Sequence, residues 1–174
     1  NGNFALASDS VAFVGKPRVF LNGAGSYVSA SSRKFLWIEG DFRLLTDSDV
    51  AVDFTGVKNS MLRNIAVSGT GSATPTYGSA IRLSGASGNF ILNFRGGGFG
   101  NFGIILDNAP YNTLHRVRRS NGYQILLNLT GGSAHNNIVV EHSGSSVSYG
   151  VIRLSPGNVG GYYQNGFNLS SEDT

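Results

Sequence analysis

The sequence predicts an all-β chain wound as a single solenoid of about six stacked coils, and three observations predict it. Apolar pairs with one residue between them recur: Val28-Ser-Ala30, Val52-Asp-Phe54, Ile81-Arg-Leu83, Ile104-Ile-Leu106, Leu127-Asn-Leu129 and Ile152-Arg-Leu154. Their second members stand 24, 29, 23, 23 and 25 residues apart, so one coil takes 23–29 residues. Helix caps and helix-period apolar spacing are nearly absent from the chain.

Each element of the coil follows from its residues. The apolar-x-apolar triplet is a short strand whose outer two side chains point one way and whose middle one points the other. A turn-like trio comes next: "SSR", "TGV", "SGA", "DNA", "TGG" or "SPG". A second apolar phrase then begins, often led by Asn, as in "NSMLRNI", "GNFILNF", "YNTLHRV" and "HNNIVVE". Three strands of about four residues would complete the unit. One coil cannot bury its inward residues alone; stacking at ~4.8 Å per layer supplies the missing partners. The regular coils cover about residues 10–157 of a single 1–174 domain. Phe167-Asn-Leu169 resembles a further pair but lies 15 residues after Leu154, too few for a full turn. Residues 158–174 are therefore expected to form a partial coil, a cap or a linker, and the opening "NGNFALASDS" is irregular.

Composition narrows the class. At 174 residues, 40% apolar and 13% charged with 25 glycines, the chain is too apolar for a disordered tail and too glycine-rich for a helical bundle. No apolar run of ~18 residues is present, so no membrane insertion is expected. The chain begins at Asn1 without a signal-peptide pattern, as expected of a fragment of a longer protein. Absence of cysteine excludes disulfides and thiolate metal sites. His115, His135 and His142 lack metal-ligand spacing, so no metal or cofactor is expected. A net charge of +3 leans toward anionic partners, but one short basic cluster is not a nucleic-acid stripe.

The rung length and the bend inside "MLRNI", "ILNF" and "LHRV" resemble the single-stranded right-handed parallel β-helix of pectate-lyase-like proteins. In that family the bend is a two-residue corner, often with Asn in the left-handed conformation; Asn64 and Asn93 fit it and Arg116 departs from it. Within the class, "GGGFGNFGIILDNAPYNTLHRVRRSNG" is similar in texture to bacteriophage tailspikes and polysaccharide depolymerases. The resemblance implies a homotrimer at a virion surface, or otherwise extracellular, that binds host polysaccharide and in many members cleaves it. Two alternatives stand beside it: a monomeric bacterial polysaccharide lyase or hydrolase, and a non-catalytic structural or adhesive solenoid.

The resemblance also implies a sugar groove along the outer face of one parallel sheet. Assigned to the apolar-x-apolar strands, that face carries Ser29, Asp53, Arg82, Ile105, Asn128 and Arg153 as a column. Arg82, Asn128 and Arg153 are its candidate sugar ligands, with an ordinary solvated sheet face as the alternative. Glycoside hydrolysis needs a pair of carboxyl groups. Asp53 and Asp107 are the groove candidates, two coils or about 10 Å apart, and Glu141 lies on another strand of its coil. In "LHRVRR", an inward Val117 would turn Arg118 outward beside Arg95 and His142, a basic ladder suited to uronic or sialic acid or to an acidic neighbouring subunit. Tyr77, Tyr123 and Tyr149 either stack as an aromatic ladder or offer rings to sugar faces, and Trp37 is either core or a sugar platform.

Overall fold

A computed structural model describes the backbone of residues 4–20, 26–43, 50–68, 79–97, 102–119, 125–130, 138–142, 152–154 and 166–169, and the side chains within 4–14, 28–42, 50–67, 79–96 and 103–118. The strands are numbered in chain order and alternate between two parallel sheets; no helix occurs among the described residues. The first sheet holds β1 (Phe4–Leu6), β3 (Ser26–Ser31), β5 (Val50–Thr55), β7 (Ser79–Ser84), β9 (Phe102–Asp107), β11 (Ile125–Thr130) and β13 (Ile152–Leu154). The second holds β2 (Ala12–Phe20), β4 (Trp37–Arg43), β6 (Met61–Ser68), β8 (Phe90–Gly97), β10 (Thr113–Arg119), β12 (Ile138–His142) and β14 (Gly166–Leu169). Each strand pairs with the strands two places away in sequence, so the chain is a parallel β-solenoid.

The repeat predicts three strands per coil and six coils. Among the described residues the third side consists of one bridging residue in each of three turns, in the ladder Lys34–Lys58–Ser87. About three turns are thereby closed on all three sides among the described residues, rather than six. Two phrases that look irregular in sequence find places. Phe4-Ala-Leu6, 24 residues before Ala30, stacks on Val28–Ala30 in the first sheet. Phe167–Leu169 joins β12 in the second sheet and is not a further pair of the first.

Positive-φ residues turn the three corners. Ser32, Gly56, Gly85 and Asn108 follow the first-sheet strands; Phe35, Asn59, Gly88 and Tyr111 precede the second-sheet strands; Asn64, Asn93 and Arg116 bend those strands internally. Arg116, at φ 56°, adopts the same left-handed corner as Asn93 at the same angle, although asparagine tolerates it better. The departure in residue type leaves the corner unchanged.

Inside, identical register stacks like upon like. Val28, Val52, Ile81 and Ile104 form one buried column, and Phe54, Leu83 and Leu106 another. A polar spine runs through this apolar core. The Leu36 amide donates to Ser60 Oγ at 2.9 Å, the Ser60 amide to Asn89 Oδ1 at 3.0 Å, and the Asn89 amide to Asn112 Oδ1 at 3.0 Å. Asn89 Nδ2 donates back to the Val57 carbonyl and Asn112 Nδ2 to the Ala86 carbonyl, both at 3.0 Å. Asn89 and Asn112 are fully buried, so these bonds offset the desolvation that would otherwise make them costly.

Candidate functional site

Alternation in the first sheet fixes which side chains face outward. Because residues 28 and 30, 52 and 54, 81 and 83, and 104 and 106 are buried, the residue between each pair projects from the sheet. The register stacks Ala5, Ser29, Asp53, Arg82, Ile105, Asn128 and Arg153 in one continuous column. A second column two residues on joins Ser31, Thr55, Ser84, Asp107 and Thr130. Over the five coils whose side chains are described, the two columns are hydroxyl, carboxylate and guanidinium, interrupted by Ala5 at one end and Ile105 at the other. The second column follows from the alternation that gave the first, and sequence reading that stopped at one residue per strand missed its serines and threonines.

Asp53 and Arg82 are neighbours in the column and bond through a two-pronged fork. Arg82 Nε donates to Asp53 Oδ1 at 3.0 Å, and Nη2 forms a short ion pair with Oδ2. The Asp53 side chain is 12% exposed while that of Arg82 is 47% exposed, so the carboxylate is covered and the guanidinium presents its outer edge. The hydrogen bond to Asp53 raises the Arg82 pKa above its ordinary value; burial opposes the rise and the charges of Asp53 and Asp107 support it. Asp107 accepts from Ser84 Oγ at 3.3 Å and from Asn108 Nδ2 at 3.2 Å. Beside Asp53, a cleft of about 290 Å³ opens between Ala5, Leu6, Ser29, Ser31, Arg33 and Thr55. No ion-pair partner of Arg33 occurs among the described residues.

The sequence candidates are thus divided between two sheets. Asp53, Asp107 and Arg82 come together on one face, and the backbone of Asn128 and Arg153 continues their line. Glu141 lies in β12 of the other sheet, apart from both aspartates. Arg95 and Arg118 are adjacent there and exposed, and Val117 beneath them is buried. The β10–β12 pairing runs over Thr113–His115 only, so His142 does not enter the arginine ladder by register; Ala66 and Asp41 extend it on the other side. Tyr77, Tyr123 and Tyr149 lie outside the described residues. Trp37 is 40% exposed on the second sheet and is not core. Among the described residues no three His, Asp or Glu side chains converge to hold a metal ion.

No protein-family model matches the chain, and neither the curated proteins nor the solved structures contain a match to it. Of the resemblance drawn from the sequence, the parallel β-solenoid is the part that the structure bears out.

Proposed function

We propose that this chain is the glycan-recognising segment of an extracellular, tailspike-like β-solenoid, and that the outer face of its first sheet holds a surface polysaccharide along the solenoid axis. One observation carries the reading: two polar columns stand in register over successive rungs, beside a cleft containing Arg33 and four hydroxyl or carboxylate side chains. A saccharide chain presents hydroxyls at a spacing close to the ~4.8 Å rung of a sheet, so such a face offers it a donor or acceptor at each step. The fork from Asp53 keeps the Arg82 edge in place, which lowers the ordering cost of a contact with a sugar hydroxyl or carboxylate. In this reading the solenoid is right-handed, as nearly all parallel crossovers are, and the working particle is a homotrimer. The test is a glycan array with the full chain: the reading expects saturable binding to a surface polysaccharide, weakened at least tenfold by Arg82→Ala. Unchanged binding in that variant, with the fold intact by circular dichroism, would remove the first sheet from the site.

A depolymerase reading has one observation in its favour. Asp53 and Asp107 occupy one face two rungs apart, about 10 Å, near the ~6.5–9.5 Å of inverting glycosidases. It expects new reducing ends from the bound polysaccharide, abolished by Asp107→Asn. No release of reducing ends from a glycan that binds leaves recognition alone.

A further inference from the structure

The second sheet is dressed differently from the first. Trp37, Met61 and Phe90 are consecutive neighbours in one outward column. Trp37 is 40% exposed and Phe90 46% exposed, two rungs apart, so two aromatic rings stand in line along the solenoid axis. Round the adjoining corner, Lys34 and Lys58 are bridged one rung apart and both are exposed. Like charges held directly opposite across a ladder repel. Neither ammonium forms an ion pair among the described residues: the Asp9 carboxylate, on the preceding rung, accepts from the Lys34 backbone amide at 3.1 Å, and the Phe35 ring lies 5.9 Å from Lys34 Nζ. Arg63 projects from the same side of the second sheet as Met61, likewise exposed.

We infer that this corner is a second saccharide site, separate from the first-sheet face, and that its ligand is a carboxylate-bearing glycan lying parallel to the solenoid axis. Each part of the surface matches a part of such a chain. Exposed rings take the apolar C–H faces of pyranoses, and at about one sugar per rung Trp37 and Phe90 meet alternate units. The carboxylates of acidic units relieve the repulsion between Lys34 and Lys58, which a neutral glycan or an apolar protein segment would leave in place or worsen. A nucleic acid fits less well. The lysine ladder ends after two rungs at Ser87, and Glu39 occupies the second sheet beside Trp37, whose Nε1 donates to it at 3.3 Å. A polymer with a charge on every unit would meet a carboxylate there. The inference shares only its ligand class with the proposed function, not the site.

Trp37 is the single tryptophan of the chain, so its fluorescence reports on this corner alone. The experiment titrates the full chain with an oligosaccharide of alternating glucuronate and N-acetylglucosamine, charged on every second unit only, and with its methyl ester, following Trp37 emission, and repeats both with Lys34→Ala/Lys58→Ala and with Arg82→Ala. The inference expects a saturable change with the acid, at least tenfold weaker with the ester and with the double lysine variant, and unaltered by Arg82→Ala. No response to the acid, or equal responses to acid and ester, overturns it. A response obtained only with oligodeoxythymidylate overturns it in favour of nucleic acid, and emission that shifts with protein concentration alone overturns it in favour of a second copy. Binding seen by calorimetry, silent in Trp37 and lost in Arg82→Ala, overturns this corner while sustaining the first-sheet site. The substituted side chains are all exposed, and circular dichroism of each variant checks that the fold is kept.

Discussion

The two sheets obey one construction rule and carry opposite surfaces. On the first, short polar side chains cover the strands and its exposed cation, Arg82, is held by its neighbour Asp53. On the second, large apolar side chains stand in the open, and at the corner that leads into it Lys34 and Lys58 are stacked without a carboxylate between them. Inward, the two cannot be told apart in kind: both bury aliphatic and phenylalanine columns in register. The core constrains every second residue, and the residues between are released from packing to serve whatever the surface meets. In a solenoid, function is therefore written in the outward columns, and the columns are read one face at a time.

The comparison can be broken at several strengths. The largest effect is expected where both faces share a support. Asn89→Ala orphans the buried Ser60 amide, while the Val57 carbonyl keeps the Ser87 amide as its donor. At about 1–3 kcal/mol for the orphaned group, with a cavity left at a fully buried site added to it, the loss should be about 2–4 kcal/mol, seen as a lowered midpoint in urea; a shift under about 1 kcal/mol would deny the spine its role.

Next come the two corners. Gly88, at φ +66°, would place a Cβ 2.6 Å from Asn59 Oδ1, whereas Gly85, at φ +59°, has nothing within 4 Å of that position. Gly85→Ala should cost about 1–2 kcal/mol for the left-handed backbone alone, and Gly88→Ala more than that, because Asn59 must also move. Equal midpoints for the two variants would show that the second corner is not tightly packed.

Smaller is the effect of Asp53→Ala, which releases Arg82 from its fork. It should leave thermal stability nearly unchanged, weaken first-sheet glycan binding several-fold, and leave Trp37 emission as it is.

The smallest effect is expected from alkali. The folded chain raises the Arg82 pKa, so the stabilisation from its charge is complete below the unfolded value and is lost only as pH climbs through the folded one. Binding through Arg82 should therefore stay level from about pH 7 to pH 10.

Much of this was legible beforehand, and the boundary of what was legible has a physical cause. Period-two alternation and a 23–29-residue interval identified the solenoid and placed Ser29, Asp53, Arg82, Ile105, Asn128 and Arg153 in one line, because burial leaves a pattern in residue type. The corner at Arg116 was harder, since a backbone angle dictated by the stack does not require the residue that suits it best. Asn89 and Asn112 announce themselves in sequence as leaders of the second phrase, yet polar type alone suggests exposure. Only the carbonyls and amides around them explain why they are inside. The exposure of Trp37 also lay beyond reach, because a large ring at a strand's first position suits core and surface equally. Among the described residues the third side is a single bridging residue in three turns, where no alternation is long enough to make a strand.

The spine of Ser60, Asn89 and Asn112 has a direction. The Leu36, Ser60 and Asn89 amides along it are each answered by a side chain from the turn that follows. A nascent chain, delivered amino end first, thus lays down each layer before the group that completes it has been synthesised. Its advancing edge stays chemically unfinished until the next layer arrives, and a stalled or clipped product always bears that raw edge on the carboxyl side.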